Sequence, residues 1–279
     1  MASNAIAAVN IANYLPTIYS PIVKAEVESN LVIANAVDRR FERFMKSGGS
    51  QIRVPSLTNL TANAVNVEQD TTLNDTVQNS DTIIINNWYE CAVGEDDRHA
   101  IQDFPDFLAL AAEKTGYSIA AAVDASVAAL FSAFTQVVGT EGSALTDDVL
   151  LEAKGYLDAA DAPPDGRVLI IDPESLTDLL KIDKFVNMDY NAGNVVQTGM
   201  VGRIYGCDVL MTNNLTAINT NYHGACMMHR EAIALCIQAG MKTEYFDWWQ
   251  KHTRVVRTTA LWGMKEMRDT FGVWVKTRS

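Results

Sequence analysis

The reading turns on Asp106–Val137, DFLALAAEKTGYSIAAAVDASVAALFSAFTQV, near the middle of a 279-residue chain. Ile119, Val123, Val127, Leu130, Phe134 and Val138 follow one another at spacings of three and four. That spacing places them on one face of an α-helix. Pro105 stands where the first helical residue would be, a position whose N–H has no partner anyway, with Asp103 just before it. Gly139 closes the run. The spacing predicts one helix from Asp106 to Val137, far longer than the three or four turns of an average globular helix. Its residues build a scaffold and carry no chemistry.

Working upstream, Glu95-Asp96-Asp97-Arg98 leads out of a β pattern, Thr82–Val93, TIIINNWYECAV. Gln51–Leu57, QIRVPSL, reads as another strand, and Pro55 assigns it to an edge. The segment between them, Thr58–Thr82, is rich in Asn, Thr and Asp. Two strands joined in this way predict an extended β-hairpin, which alone is barely stable in water. Ser47-Gly48-Gly49-Ser50 stops a helix-patterned stretch, Ala25–Met45, in which Val27, Leu31, Ala34, Val37 or Asp38, Phe41 and Phe44 recur. Met1–Lys24 has no charged side chain before Lys24 and contains Pro16 and Pro21. It reads as an arm that gains order on a neighbour. It lacks the basic start and unbroken apolar run of a signal peptide.

Downstream, Thr146–Asp161 reads as a helix closed by Ala162-Pro163-Pro164-Asp165-Gly166. Arg167–Ile171, RVLII, is a buried strand. Asp172 caps a further helix, with Pro173 in its first turn, running through Leu180. Asn191–Gly206 is punctuated by Gly193, Gly199, Gly202 and Gly206. Cys207–Met211 is a short strand ended by the turn Thr212-Asn213-Asn214. Met227–Ile237, Thr253–Thr259 and Gly272–Lys276 read as strands. No apolar stretch is expected to reach membrane-spanning length, and no internal repeat is visible.

Hydrophobic residues make up 48% of the chain and charged residues 20%, a globular composition. Lys and Arg number 22 against 34 Asp and Glu, a net charge of −12, which argues against a surface built to bind nucleic acid throughout. The balance is uneven. Lys242–Ser279 holds eight bases against four acids, whereas Gln51–Asp97 holds eight acids against Arg53 alone.

Motifs for chemistry are missing. Cys91, Cys207, Cys226 and Cys236 form no C-x-x-C pair and read as small hydrophobes of a reducing compartment. His99, His223, His229 and His252 lack metal-ligand spacing. Gly199–Gly206 lacks both the Lys-Ser/Thr of a phosphate loop and the G-x-G-x-x-G spacing, and reads as a tight turn. There is no G-x-S-x-G elbow. Glu95, Asp96 and Asp97 could hold a cation, favour the positive end of the helix that follows, or meet bases on a neighbouring copy. Tyr245-Phe246 and Trp248-Trp249 read as packing rather than base stacking. No catalytic residue, cofactor or metal is expected.

The order of elements, an uncharged arm, a long hairpin, one very long helix and a central α/β unit flanked by strands, resembles the tailed-bacteriophage major capsid proteins, the Hong Kong 97 fold. Thr198–Leu215, TGMVGRIYGCDVLMTNNL, is similar to a glycine-punctuated stretch common in phage coat proteins. The closing aromatic cluster Tyr245–Trp249 and the strand ending VWVKTR resemble their C-termini. The resemblance implies an α+β capsid fold with an N-terminal arm and helix (1–49), an extended loop (50–100), a peripheral domain with a spine helix (101–140 and 225–279) and an axial domain (141–224). It implies hexamers and pentamers forming an icosahedral shell around viral double-stranded DNA, assembled in the bacterial cytoplasm and present in the virion.

The implied partners are copies of the chain itself, scaffolding and portal proteins, DNA bound without sequence specificity, and a decoration protein; no membrane is implied. Gln51–Asp97 contains no Lys, so the lysine–asparagine cross-link of some relatives is not expected. Arg53, Glu95, Asp96, Asp97, Lys242, Lys251, Arg254, Arg257 and Lys265 are the candidate inter-subunit contacts, acids of the loop meeting bases of the C-terminal strands on a neighbour. An encapsulin-like shell shares the fold and stays open from sequence. A soluble α+β enzyme would have to explain the arm and hairpin.

Overall fold

The computed structural model describes residues 32–46, 48–57, 62–64, 70, 73–74, 78–98, 107–182, 202–215, 217–219 and 222–278. The arm over Met1–Lys24 and the glycine-punctuated stretch from Asn191 to Val201 lie outside them. In chain order the elements are α1 (Ile33–Ala36), α2 (Glu42–Met45), β1 (Gln51–Leu57), β2 (Gln78–Asp96), α3 (Phe107–Ala129), β3 (Gln136–Val138), α4 (Asp147–Ala159), β4 (Arg167–Ile171) and α5 (Pro173–Leu179). Then follow β5 (Arg203–Ile204), β6 (Cys207–Met211), β7 (Ala217–Asn219), β8 (Tyr222–His229), β9 (Ile233–Trp248), β10 (Thr253–Glu266) and β11 (Gly272–Lys276).

Two sheets share one core. An antiparallel four-stranded sheet has the order β1-β2-β10-β9. A mixed sheet has the order β3-β11-β8-β4-β6-β5, with β7 paired to β8. Every residue of β4 is buried, as its unbroken apolar run predicts. Asp172 accepts from the Ser175 amide at 3.2 Å, and Pro173 opens α5 in the predicted way.

The long helix α3 lies against β10, β2 and β9. Ala111, Ala112, Ile119, Ala120, Val123, Val127 and Ala128 are buried along it. Thr115 is buried too, and its hydroxyl donates to the Ala112 carbonyl at 2.9 Å. It also shares a hydrogen bond with the Thr258 hydroxyl at 2.9 Å, and Thr258 with Thr243 at 3.0 Å. This hydroxyl chain joins α3 to β10 and β9. The side chain of Asp124, fully buried, accepts from the amides of Val32 (3.1 Å), Ile33 (3.4 Å) and Ala34 (3.0 Å), and from Asn214 Nδ2 (3.4 Å). Burial pushes its carboxyl above the usual pKa, against the pull of those donors.

Several expectations are corrected. The helix stops at Ala129; Leu130–Ala133 is a single 3-10 turn and Gln136–Val138 is a strand, parallel to β11. Phe134 and Val138 are buried in both descriptions, so their spacing did not separate helix from strand. Gly139 follows with φ +80°, and a Cβ there would lie 2.5 Å from the Lys276 carbonyl oxygen. Ala25–Met45 is not one helix over its described part. Val37 is extended, and Asp38 joins β9 by donating its amide to the Ile233 carbonyl and accepting from the Leu235 amide. Met227–Ile237 is two strands, β8 and β9, which turn at Arg230-Glu231 and pass from one sheet to the other.

One helical stretch, Ala111–Ala133, is in fact long and apolar enough to cross a membrane by length and composition. Here its polar groups Thr115 and Asp124 bond to the chain's own strands and loops, as in a core helix.

Candidate functional site

The candidate surface is built on β2. This strand is 19 residues long and serves two partners. Its first part pairs with β1, from Gln78↔Leu57 to Ile84↔Gln51, and its second with β10, from Ile85↔Gly263 to Asp96↔Thr253. The change of partner coincides with a bulge between Trp262 and Gly263. Gly263 is required there, because a Cβ would collide with the Ile84 carbonyl.

Alternate residues of β2 face opposite ways. Ile83 is buried with Ala234 and Cys236, and Cys91 and Val93 pack on the main core beneath. The hairpin root therefore contributes to the chain's own core by packing on other elements. The outer face carries Ile84, 54% exposed, and Trp88, 77% exposed.

Lys242, Arg254, Arg257 and Lys265, foreseen as partners for a neighbour's acids, find acids within the same chain. Arg257 Nη2 is 2.7 Å from Glu244 Oε2, and Arg257 Nη1 is 3.9 Å from Glu90 Oε2. Lys265 Nζ is 3.1 Å from Asp81 Oδ1. Arg254 Nε is 3.9 Å from Asp97 Oδ1. Glu95 lies opposite Arg254 in the ladder and Asp96 opposite Thr253. Lys242 pairs with Glu244. The physical reason is register: β10 runs beside β2 and brings the basic strand to the acidic one. Ion pairs with Lys242 first, then Arg257, hold the Glu244 carboxyl below the usual range. Lys251 Nζ stands 4.2 Å over the Trp248 ring, and Arg53 is exposed opposite Thr82.

The reading of Tyr245–Trp249 as packing holds for Tyr245, which is buried. It fails for Phe246, Trp248 and Trp249, which are exposed. Phe246 and Trp248 alternate away from the Tyr245 face, and Trp249 opens the 3-10 turn at the β9–β10 tip.

The stretch that ends at Leu215 forms a turn and hairpin in its described part. Tyr205 (φ +49°) and Gly206 (φ +85°) join β5 to β6, the signature of a mirror-image two-residue turn. The Tyr205 hydroxyl bonds Asp147, and burial, then Asp147, pushes its pKa up to about 12. Arg278 and Lys181 pair with the buried Asp178, whose carboxylate also accepts from the Leu145 amide. Burial alone would raise Asp178; these donors outweigh it and hold its pKa below the usual range.

All four cysteines are free; three are buried and Cys91 is half-buried. Among the described residues, no group of three His, Cys, Asp or Glu is placed to hold a metal ion. The arrangement offers apolar and charged contact surface.

A family model described as phage capsid protein matches residues 45–268. Among solved structures, one from Mycobacterium phage Che8 is 20% identical, with a TM-score of 0.74, over 88% of this chain and 90% of that one. The capsid structure of cyanophage P-SCSP1u is 15% identical, with a TM-score of 0.70, over 82% and 84%. The capsid of Ralstonia phage GP4 is 13% identical, with a TM-score of 0.64, over 90% of each chain. No curated protein matches by sequence.

Proposed function

This chain is a member of the phage capsid protein family, and on that premise we propose that its copies form hexamers and pentamers of an icosahedral shell around double-stranded DNA. One observation carries the reading: the outer face of β2 presents Ile84 and Trp88 to solvent on a strand rooted in the chain's own core. Large exposed aromatics are common anchors of protein interfaces. The exposed Phe246, Trp248 and Trp249 at the end of β9 extend the same logic.

In this reading residues 1–49 are the arm, 50–100 the extended loop, 101–140 and 225–279 the peripheral domain, and 141–224 the axial domain. Arg53, Glu95, Asp96, Asp97, Lys242, Lys251, Arg254, Arg257 and Lys265 lie at subunit contacts. The in-chain pairs among them are exposed or half-buried, and the exposed ones are worth about 0–1 kcal/mol each, so their exchange for a neighbour's charge costs little. Single contacts can be weak because a closed shell engages many at once, through ring interfaces that close by rotation. The chain acts as a structural subunit, not an enzyme. Scaffolding, portal and decoration proteins are its partners, and the virion, assembled in the bacterial cytoplasm, is its destination.

Negative-stain microscopy and gel filtration of the purified protein, with and without scaffolding protein, test this. Closed particles or capsomers are expected. A compact monomer at high concentration under both conditions refutes it.

A further inference from the structure

In a chain of net charge −12, the segment after α1 has the opposite sign. Arg39, Arg40, Arg43 and Lys46, with Glu42, line an open cleft of about 350 Å³. The cleft is firmly built. Arg40 donates from Nε and Nη2 to the buried Asp38 at 2.7–3.0 Å, and from Nη2 to Glu231 at 2.9 Å. Arg39 donates to Glu42 at 2.6 Å and to Asn35 at 3.2 Å. Beneath, Gln238 Nε2 donates to the carbonyls of Met45 (3.4 Å) and Gly49 (2.8 Å), fixing α2 on β9. The one lining carboxylate is thus taken by Arg39. Arg43 stacks at 4.6 Å over Phe44, and among the described residues neither Arg43 nor Lys46 forms an ion pair.

We propose that this cleft is the place where the subunit touches the phosphodiester backbone of duplex DNA, without reading bases. Arg39 and Arg40 have their Nε–Nη2 edges on Glu42 and Asp38 and so fix the walls of the cleft, while the Arg43 guanidinium fork and the Lys46 ammonium are left to meet phosphate oxygens. Every lining residue carries a charged group, four bases against one acid, which suits an anionic ligand. A protein partner would be expected to meet an apolar centre. The chain's net negative charge disfavours phosphate over much of the remaining surface. The inference rests on the reading that the shell encloses DNA. It is tested on dispersed subunits, so failure to bind duplex and failure to form shells are separate results.

The probe is a fluorescent duplex of about 20 base pairs and arbitrary sequence, titrated by anisotropy across a salt series. Log affinity should fall linearly with log salt, by about 0.9 per phosphate neutralised. Arg43→Gln with Lys46→Gln should make the slope shallower by about 2 and weaken binding at low salt about ten-fold or more. Arg43→Lys with Lys46→Arg should restore both. Arg98→Gln with Lys114→Gln, an equal loss of exposed charge elsewhere, should change neither. If the double Gln variant melts early, Lys46→Gln alone carries the test, with a slope shallower by about 1. Absence of salt-dependent binding by the native protein overturns the proposal. So does an equal loss in the Arg98/Lys114 variant. A normal slope with reduced shell yield in the Arg43/Lys46 variant also overturns it, and assigns the cleft to an acidic segment of another copy.

Discussion

Replacing Asp124 by Asn should loosen the point at which residues 32–34 join the long helix. In the native protein Oδ2 serves the amides of Val32 and Ile33 and the Asn214 side chain, while Oδ1 serves the Ala34 amide. A carboxylate accepts on both oxygens; an amide accepts on one and donates from the other. Whichever way the substituted carboxamide turned, its NH₂ would face at least one backbone N–H. Ile33 and Ala34 are fully buried, so water cannot take over. An orphaned buried donor costs about 1–3 kcal/mol, and the bonds that remain lose their charge assistance, about 1 kcal/mol more. The sum is about 2–4 kcal/mol, or roughly 3–7 °C in Tm for a chain of this size. Thermal unfolding of dispersed subunits by circular dichroism gives the global loss. Amide exchange at Ile33 and Ala34 gives the local one, and should accelerate even where the melt is blunted. An unchanged Tm together with unchanged protection of those two amides would refute the argument that Asp124 anchors this segment.

Thr258→Val keeps the shape but strands the Thr243 hydroxyl; a loss of about 1–3 kcal/mol is expected in denaturant unfolding. Gly263→Ala forces β10 away from the Ile84 carbonyl and should cost about 1–3 kcal/mol, with faster amide exchange along β2 around Ile84. Asp178 and Glu244 titrate below their usual ranges, so their contribution to stability is present above the unfolded pKa of about 4 and lost as pH falls through the lower folded values. A Tm series from neutral pH into that acid range should show the decline, and Asp178→Asn should flatten its own share. Reversing Glu95, Asp96 and Asp97 to Lys should reduce shell yield far more than subunit Tm; equal losses would mean that these acids serve only their own chain.

What the sequence made legible is local. β4 and β11 carry buried apolar runs closed by turn residues, and the structure keeps both sets of boundaries. Asp172 and Pro173 announce a helix start that needs no distant partner. What escaped depends on residues far apart in the chain. Gln136–Val138 continues the helical spacing of its predecessors and becomes a strand only because β11 lies beside it. Asp38 leaves the helical pattern because β9 offers it a ladder position and Arg40 its counter-charge. The candidate contact surface was half readable. Its residue types and charge asymmetry stood in the sequence, but the pairing of β2 with β10 of the same chain did not. Nor did the outward turn of Trp88, since strand parity is fixed only once Ile83 finds its pocket.

Strand β11 also sets an order of events in synthesis. It lies between β3 and β8, so the larger sheet stays divided until residues 272–276 exist. Arg278 then closes on Asp178 and its amide on the Ser143 carbonyl. At about 5–20 residues per second on the ribosome, that closure comes roughly 7–30 seconds after the end of α3 has been made. Until then β3 has no strand beside it. A half-made chain therefore lacks the completed larger sheet that shares its core with the sheet from which β2 presents its aromatic face.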